Sequence, residues 1–234
     1  MAGSSLETSF RELTGTVPAT VGIAIARAGA SSVASLGTWK TGVAWSTIKV
    51  PLAIATLRAG SGGHELVTKT ITQSDNAAAE ELWSRLGDPA AAAQKLQAVI
   101  RDAGDPATVV ESQRLRPGYT AFGQTQWSLA RQAQFAARLP YIPDAWRIVD
   151  LMRNLTIDHR WGLAAKGFAA KGGWGPGIGG DYLVRQFGIV PAQSVHWGVA
   201  LAAEVSDGGF ETGVEVVNTL SDWLVNHLPE LTQH

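Results

Sequence analysis

A chain of 234 residues can form one domain with a sizeable core, or two lobes that share one. Hydrophobic residues make up 45% and charged residues 17%, a balance that excludes a globally disordered protein. The net charge is -1 with no long basic run, which disfavours nucleic acid as a partner, and the absence of cysteine excludes disulfides and thiolate sites.

The first part of the chain predicts a short helix, a β-hairpin and a second helix. Residues 8–13 have an amphipathic helical pattern, and residues 21–27 alternate small and β-branched side chains as a packed strand does. Residues 32–38 follow a turn and predict the second strand of a hairpin. A helical pattern then runs from 47 to 59, and the glycines in 60–63 end it.

The middle of the chain is rich in predicted helices. They cover residues 75–86, 88–102, 125–139 and 143–155. A loop at 105–122, which contains two prolines, lies between the second and the third of these helices. Asp88 followed by Pro89 is a strong start for the second of these helices, because aspartate caps the free N–H groups and proline suits the first turn.

Strand patterns return in the last third of the chain. Six glycines lie within 172–180, strands are predicted at 182–190 and 195–205, and a final amphipathic helix covers 211–227. This order predicts an α/β (α+β) fold in which both chain ends build one antiparallel sheet flanked by helices. Residues 1–45 and 156–234 would form the sheet lobe, and residues 46–155 an inserted all-α lobe.

No membrane span or export signal is expected in this sequence. The longest apolar stretch, residues 50–57, falls far short of the roughly 20 residues that a membrane helix needs. The first five residues lack the cationic and apolar regions of a signal peptide.

One possible reactive centre begins with Ser46-Thr47-Ile48-Lys49 at the start of a predicted helix. Residues three apart on a helix share a face, so Ser46 and Lys49 can approach each other. A lysine in an apolar environment has a lowered pKa and can accept the serine proton, which activates the serine as a nucleophile. By itself this pair is weak evidence, because chance alone yields about 0.4 such pairs.

Two further motifs follow in the sequence. Ser74-Asp75-Asn76 precedes a predicted helix, and although one such residue is explained as a helix cap, the triplet is expected only about 0.01 times by chance. Lys171-Gly172-Gly173 opens the glycine-rich stretch, and it gains weight only from its order after the other two.

Ser-x-x-Lys, Ser-Asp-Asn and a Lys-x-Gly, in this order, resemble the signature motifs of class A serine β-lactamases and penicillin-binding proteins. The resemblance extends over most of the chain, because the hairpin, helical insert and closing helix also fall where that fold has them. It implies acyl transfer in a groove between two lobes, on a β-lactam or a cell-wall peptide. It further implies a monomer that acts outside the cytoplasmic membrane and needs no metal or organic cofactor.

The resemblance also implies catalytic roles for four residues. Ser46 would be the acylated nucleophile and Lys49 its proton acceptor. Ser74 would pass a proton to the leaving nitrogen, and Lys171 would supply positive charge for a substrate carboxylate.

Substrate-binding roles follow for three more residues. Asn76 would bind the amide side chain of the substrate. Gly173 and Trp174 would border the substrate, with the N–H of Trp174 joining that of Ser46 in an oxyanion hole. Asp75 would brace the loop.

The sequence departs from the family pattern at three points. Gly172 replaces the threonine or serine that helps to hold the substrate carboxylate, and the 27 residues between Ser46 and Ser74 are fewer than the family pattern leads us to expect. In the 105–122 loop, Arg114 falls where class A enzymes carry their deacylating glutamate. Glu111 could replace that base only if the loop is re-registered.

These departures leave alternatives open. Acylation with slow deacylation would make the protein a D,D-peptidase or penicillin-binding type, and a binding module on the same fold would lack the chemistry altogether. The five scattered histidines make a Ser-His-Asp triad a weak competitor. Arg185, on the strand after Lys171, would either add charge to the groove or face solvent.

Overall fold

The computed structural model describes residues 2–192 and 195–231. Its strands are β1 (Thr20–Arg27), β2 (Val33–Gly37), β3 (Thr41–Val43), β4 (Gln126–Ser128), β5 (Ala169–Pro176), β6 (Tyr182–Ala192) and β7 (Val195–Val205). Five of them form one sheet in the order β2-β1-β7-β6-β5, with every neighbouring pair antiparallel, and β3 pairs with β4 in a separate ribbon. The predicted antiparallel sheet from both chain ends is therefore confirmed.

Helices cover both faces of this sheet. They are α1 (Ala2–Thr14), α2 (Lys49–Arg58), α3 (His64–Thr72), α4 (Asn76–Ser84), α5 (Pro89–Asp102), α6 (Leu129–Arg138), α7 (Ala145–Arg153) and α8 (Gly209–Leu231). Within the described residues, no helix combines the length and apolar character needed to cross a membrane.

The interior strand β1 shows why both faces must be covered. Val21, Ile23 and Ile25 point into a core shared with α1 and α8, whereas Ala24 and Ala26 belong to the larger core that includes the helical insert. Alternate side chains of a strand face opposite sides of its sheet, so a strand with six consecutive buried residues needs a hydrophobic partner on each side.

Several predicted helix boundaries are confirmed, and others need correction. α5 begins as predicted, with the Asp88 carboxylate accepting a hydrogen bond from Ala91 N. α6 begins at Leu129 rather than at Thr125, because residues 126–128 pair with β3 and Ser128 then caps the helix. α3 was not predicted at all, and neither was β4, which lies inside the segment expected to be purely helical.

The predicted 105–122 loop is largely irregular, but its beginning is firmly anchored. Asp105 is completely buried, and its carboxylate accepts hydrogen bonds from Thr108 N, Thr108 Oγ1 and Trp127 Nε1. Trp127 is the central residue of β4, so this carboxylate fixes the loop to the short ribbon. A buried carboxylate with several donors is satisfied, which makes this a stable base for a loop that reaches the groove.

Candidate active site

Ser46 lies on the wall of a cavity of about 440 Å³ between the helical insert and strand β5. It belongs to a short 3-10 helix, Trp45–Ile48, that leads directly into α2. Trp45 has a φ of 50°, a left-handed backbone that is unusual for a bulky residue and that presents Ser46 to the cavity. Ser46 is half-buried, and its hydroxyl makes no hydrogen bond to any described residue.

Lys49 is buried and lies on the first turn of α2, three residues after Ser46. Its Nζ donates hydrogen bonds to Ser74 O at 2.5 Å and to Asn76 Oδ1 at 2.7 Å. Burial lowers the pKa of Lys49 to about 7, although the nearby carboxylate of Asp75 opposes part of this effect. A substantial fraction of Lys49 is therefore neutral near neutral pH and able to accept a proton.

The Ser74 hydroxyl lies between two buried lysines. Lys171 Nζ donates to Ser74 Oγ at 2.8 Å, and Lys49 Nζ lies 3.4 Å from the same oxygen. Burial, and then the positive charge of Lys49, hold the pKa of Lys171 well below its ordinary value. Like Trp45, Ser74 has a left-handed backbone, with a φ of 52°. This hydroxyl can relay a proton between the two amines.

Gly173 allows strand β5 to approach Ser46 closely. A Cβ atom on Gly173 would lie 2.8 Å from Ser46 N and 2.9 Å from Ala44 O, so only glycine fits here. β5 pairs on one side with β6, and its other edge meets the 3-10 helix of Ser46. Trp174, the next residue of β5, lines the cavity. This juxtaposition brings the backbone around Ser46 N and Trp174 to one side of the cavity, as an oxyanion hole requires.

A cluster of aromatic rings packs against β5 and includes Trp174. A Cβ on Gly172 would lie 2.5 Å from Trp161 Cζ2, so the tryptophan fills the space of the hydroxyl side chain expected there. The Trp174 ring contacts Phe210, with centroids 4.9 Å apart, and stacks on His159 at 5.4 Å.

His159 connects this cluster to the Ser74 loop. Its Nε2–H donates to Gln73 O at 2.9 Å, and its buried Nδ1 has no partner among the described residues. Burial, and then the charge of Lys171, lower the pKa of His159. Thr156 reinforces the connection, because its N and Oγ1 both donate to Thr72 O at 3.0 Å. The backbone before Ser74 is therefore held by segment 156–159, which the sequence motifs did not indicate.

Helix α4 contributes Asn76, Ala77 and Glu80 to the cavity wall. Asn76, at its start, bonds Lys49, and Glu80 lines the cavity one helical turn later. The Asp75 carboxylate caps the helix by accepting from Ala78 N at 2.8 Å. Glu80 forms an ion pair with Arg114 at 2.7 Å, and Arg114 also lines the cavity. A helix-face argument from Asn76 could have found Glu80, since residues four apart share a face.

Glu111 does not lie among the residues that line this cavity. Its carboxylate accepts a hydrogen bond from Gln113 N at 2.8 Å, and its own N–H donates to Thr125 Oγ1. A deacylating role for Glu111 stays a prediction that this geometry does not favour.

The expectation for Arg185 was wrong, because this residue faces neither the groove nor solvent. It is completely buried, and its guanidinium donates to Gly42 O, Val43 O and Trp127 O, each at 3.0 Å. It also lies over the Trp39 ring. Desolvation lowers the pKa of Arg185 to about 9. Arg185 therefore joins β6 to the β3–β4 ribbon.

Comparison with known proteins gives a consistent answer about the fold. No protein-family model matches the chain, and no curated protein matches it. Solved structures do match. One is a β-lactamase from Xanthomonas campestris pv. campestris, with a TM-score of 0.75 and 16% identity over 97% of this chain and 98% of that chain. Another is the class A β-lactamase of the last common ancestor of Gram-negative bacteria, with a TM-score of 0.73 and 19% identity over 96% of this chain and 99% of that chain. The chain has the class A β-lactamase fold.

A third match adds a chemical comparison. It is a variant of PBP-A solved as an acyl-enzyme complex with penicillin G (TM-score 0.70, 20% identity, 97% of both chains). The β-lactamase fold thus accounts for nearly all of this chain. Among the described residues, no group of three or more potential metal ligands comes together.

Proposed function

We propose that this protein is a serine acyl-transfer hydrolase in which Ser46 forms an acyl-enzyme with a β-lactam or a peptidoglycan-type peptide. One observation carries the proposal: Lys49, with its pKa lowered to about 7, and Ser46 line the same cavity, while Lys49 and Lys171 flank the Ser74 hydroxyl. A binding module has no need of two buried lysines, whose desolvation costs stability.

In the proposed acylation step, neutral Lys49 accepts the proton of Ser46 as Ser46 Oγ attacks the amide carbonyl carbon. Lys49 and Ser46 are three residues apart, so a change in the lysine side-chain torsions brings Nζ from Asn76 towards the serine. The N–H groups of Ser46 and Trp174 stabilise the oxyanion that develops on the carbonyl oxygen.

In the next step, Ser74 Oγ–H protonates the leaving nitrogen and is reprotonated from one of the two lysines beside it. Asn76 binds the amide side chain of the substrate. Lys171, which is buried behind Ser74, acts on a substrate carboxylate through its charge when it is protonated. A cell-wall peptide as the natural substrate would require the protein to act outside the cytoplasmic membrane.

The rate of deacylation separates the two enzymatic versions of this proposal. Arg114 lies on the cavity wall, and Glu111, the carboxylate considered from the sequence, does not. If no other carboxylate acts as the base, this arrangement corresponds to the second candidate, a D,D-peptidase or penicillin-binding type that acylates and then hydrolyses its adduct slowly.

Intact-protein mass spectrometry after incubation with benzylpenicillin tests the proposal. We expect a mass increase equal to the drug that is absent in Ser46→Ala and present in the control Ser84→Ala, an exposed serine at the end of α4. A short-lived adduct indicates a β-lactamase, and a long-lived one a penicillin-binding type. If no adduct forms and the drug is not consumed, the β-lactam proposal fails and a non-catalytic binding role gains support.

A further inference from the structure

Glu80 is the one carboxylate among the described residues that line the Ser46 cavity. It lies four residues after Asn76 on α4 and therefore on the same face of that helix. Asn76 in turn contacts Lys49, the proposed proton acceptor for Ser46. The side chain of Glu80 is 32% exposed, so water can reach it without the side chain being free in solution.

Arg114 fixes the orientation of this carboxylate. Its Nη2 donates to Glu80 Oε1 at 2.7 Å, while no described residue donates to Oε2. One oxygen is therefore held by a charge-assisted hydrogen bond and the other is free to accept from a water molecule in the cavity. The neighbouring Glu81 points elsewhere, because its carboxylate pairs with Arg85 on the protein surface.

We propose that Glu80 is the general base for hydrolysis of the Ser46 acyl-enzyme, and that Arg114 positions it. This inference rests on the proposed function, since such a base has a role only if the acyl-enzyme forms. The base would thus come from helix α4, and the loop at 105–122 would supply the guanidinium that orients it.

Hydrolysis of the acyl-enzyme would proceed by attack of water and then collapse of a tetrahedral intermediate. Glu80 Oε2 accepts a proton from water while the water oxygen attacks the ester carbonyl carbon of acylated Ser46. The tetrahedral intermediate then collapses, and the bond between that carbon and Ser46 Oγ breaks. The proton passes from Glu80 to Ser46 Oγ, and the carboxylic acid product leaves. No cofactor or additional reactant takes part.

The test compares Glu80→Gln with Glu81→Gln in single-turnover experiments with benzylpenicillin, using intact-protein mass spectrometry to follow the adduct. The two variants make the same change of charge on adjacent residues, but only one faces the cavity. We expect Glu80→Gln to acylate within about twofold of wild type and to lose its adduct at least about 100-fold more slowly, the usual contribution of a general base. Glu81→Gln should behave as wild type.

A second pair of variants separates catalysis from structure. Glu80→Asp keeps a carboxylate and should deacylate faster than Glu80→Gln, whereas Arg114→Ala should slow deacylation without abolishing it. An adduct that accumulates only in Glu80→Gln supports the proposal even if wild type turns over too fast to trap. Equal adduct lifetimes in wild type and Glu80→Gln overturn it while leaving acyl transfer intact. No adduct in any protein, with the drug unconsumed, overturns the proposed function itself.

Discussion

Trp161 and Gly172 are packed so closely that the indole ring occupies the space a side chain at position 172 would need. The gap from a Cβ on Gly172 to Trp161 Cζ2 would be 2.5 Å, and to Cη2 2.6 Å. The glycine is therefore a steric requirement of this aromatic cluster. Trp161 therefore explains why position 172 holds glycine, where the family pattern predicts threonine or serine.

Restoring the hydroxyl by Gly172→Ser should destabilise the protein by about 1–3 kcal/mol, because the new side chain overlaps Trp161. Trp161→Phe removes Cζ2 and Cη2, so Gly172→Ser should lower the free energy of unfolding much less in a protein that already carries Trp161→Phe. Thermal unfolding of the four proteins in this double-mutant cycle measures the difference. Equal penalties in both backgrounds would refute the steric explanation.

Replacing Lys49 with methionine should abolish acylation and yet stabilise the fold by about 1–2 kcal/mol, since the desolvation cost of a buried amine is removed. Between pH 7 and 10.5 the unfolded chain carries more protons on Lys49 than the folded protein does, because its folded pKa is about 7. The wild-type stability therefore gains with rising pH across this window. The excess in the free energy of unfolding of Lys49→Met over wild type should be largest at pH 6 and shrink towards pH 10. Urea unfolding of both proteins at the two pH values measures this difference.

Asp75 combines two functions that two substitutions can separate. Its carboxylate caps α4 and also raises the pKa of Lys49. Asp75→Asn keeps a good cap and removes the charge, so the pH midpoint of acylation, near 7 in wild type, should move to lower pH with little loss of stability. Asp75→Ala should show the same shift and lose about 1 kcal/mol of stability as well. Stopped-flow acylation profiles that coincide for wild type and Asp75→Asn would count against Lys49 as the base.

Gly173→Ala should reduce acylation by about 100-fold or more, because the added methyl group overlaps Ser46 N, Ala44 O and Thr47 N and pushes β5 away from the nucleophile. These are backbone atoms, which cannot turn aside as a side chain can. Gly179→Ala, in the connection between β5 and β6, is a suitable control since its Cβ meets only the end of a flexible aspartate side chain. Near-normal acylation of Gly173→Ala would show that the close approach is unimportant.

Local patterns in the sequence were enough to predict most of the fold. β7 was predicted with its observed bounds, and Asp88 with Pro89 located the start of α5, because caps and strand alternation depend on neighbouring residues. β4 could not be recognised in the same way. Its three residues form a strand only because β3, distant in sequence, pairs with them.

The residues of the candidate site likewise fall into those that local motifs predict and those that depend on contacts between distant segments. Ser46, Lys49, Ser74 and Asn76 were found by motif spacing, and the structure brings them to one cavity. No signal in the sequence indicated His159, because its contact with Gln73 joins segments that are 86 residues apart. No local pattern reports such a contact.

The buried guanidinium of Arg185 makes the position of Ser46 dependent on a residue outside the groove. It holds the carbonyl groups of Gly42 and Val43, and Val43 lies three residues before Ser46. Any displacement of this anchor is transmitted along a short, continuous backbone to the serine. If the proposed function holds, changes in substrate preference can therefore arise at position 185, by a shift of Ser46, while every residue in contact with the substrate stays the same.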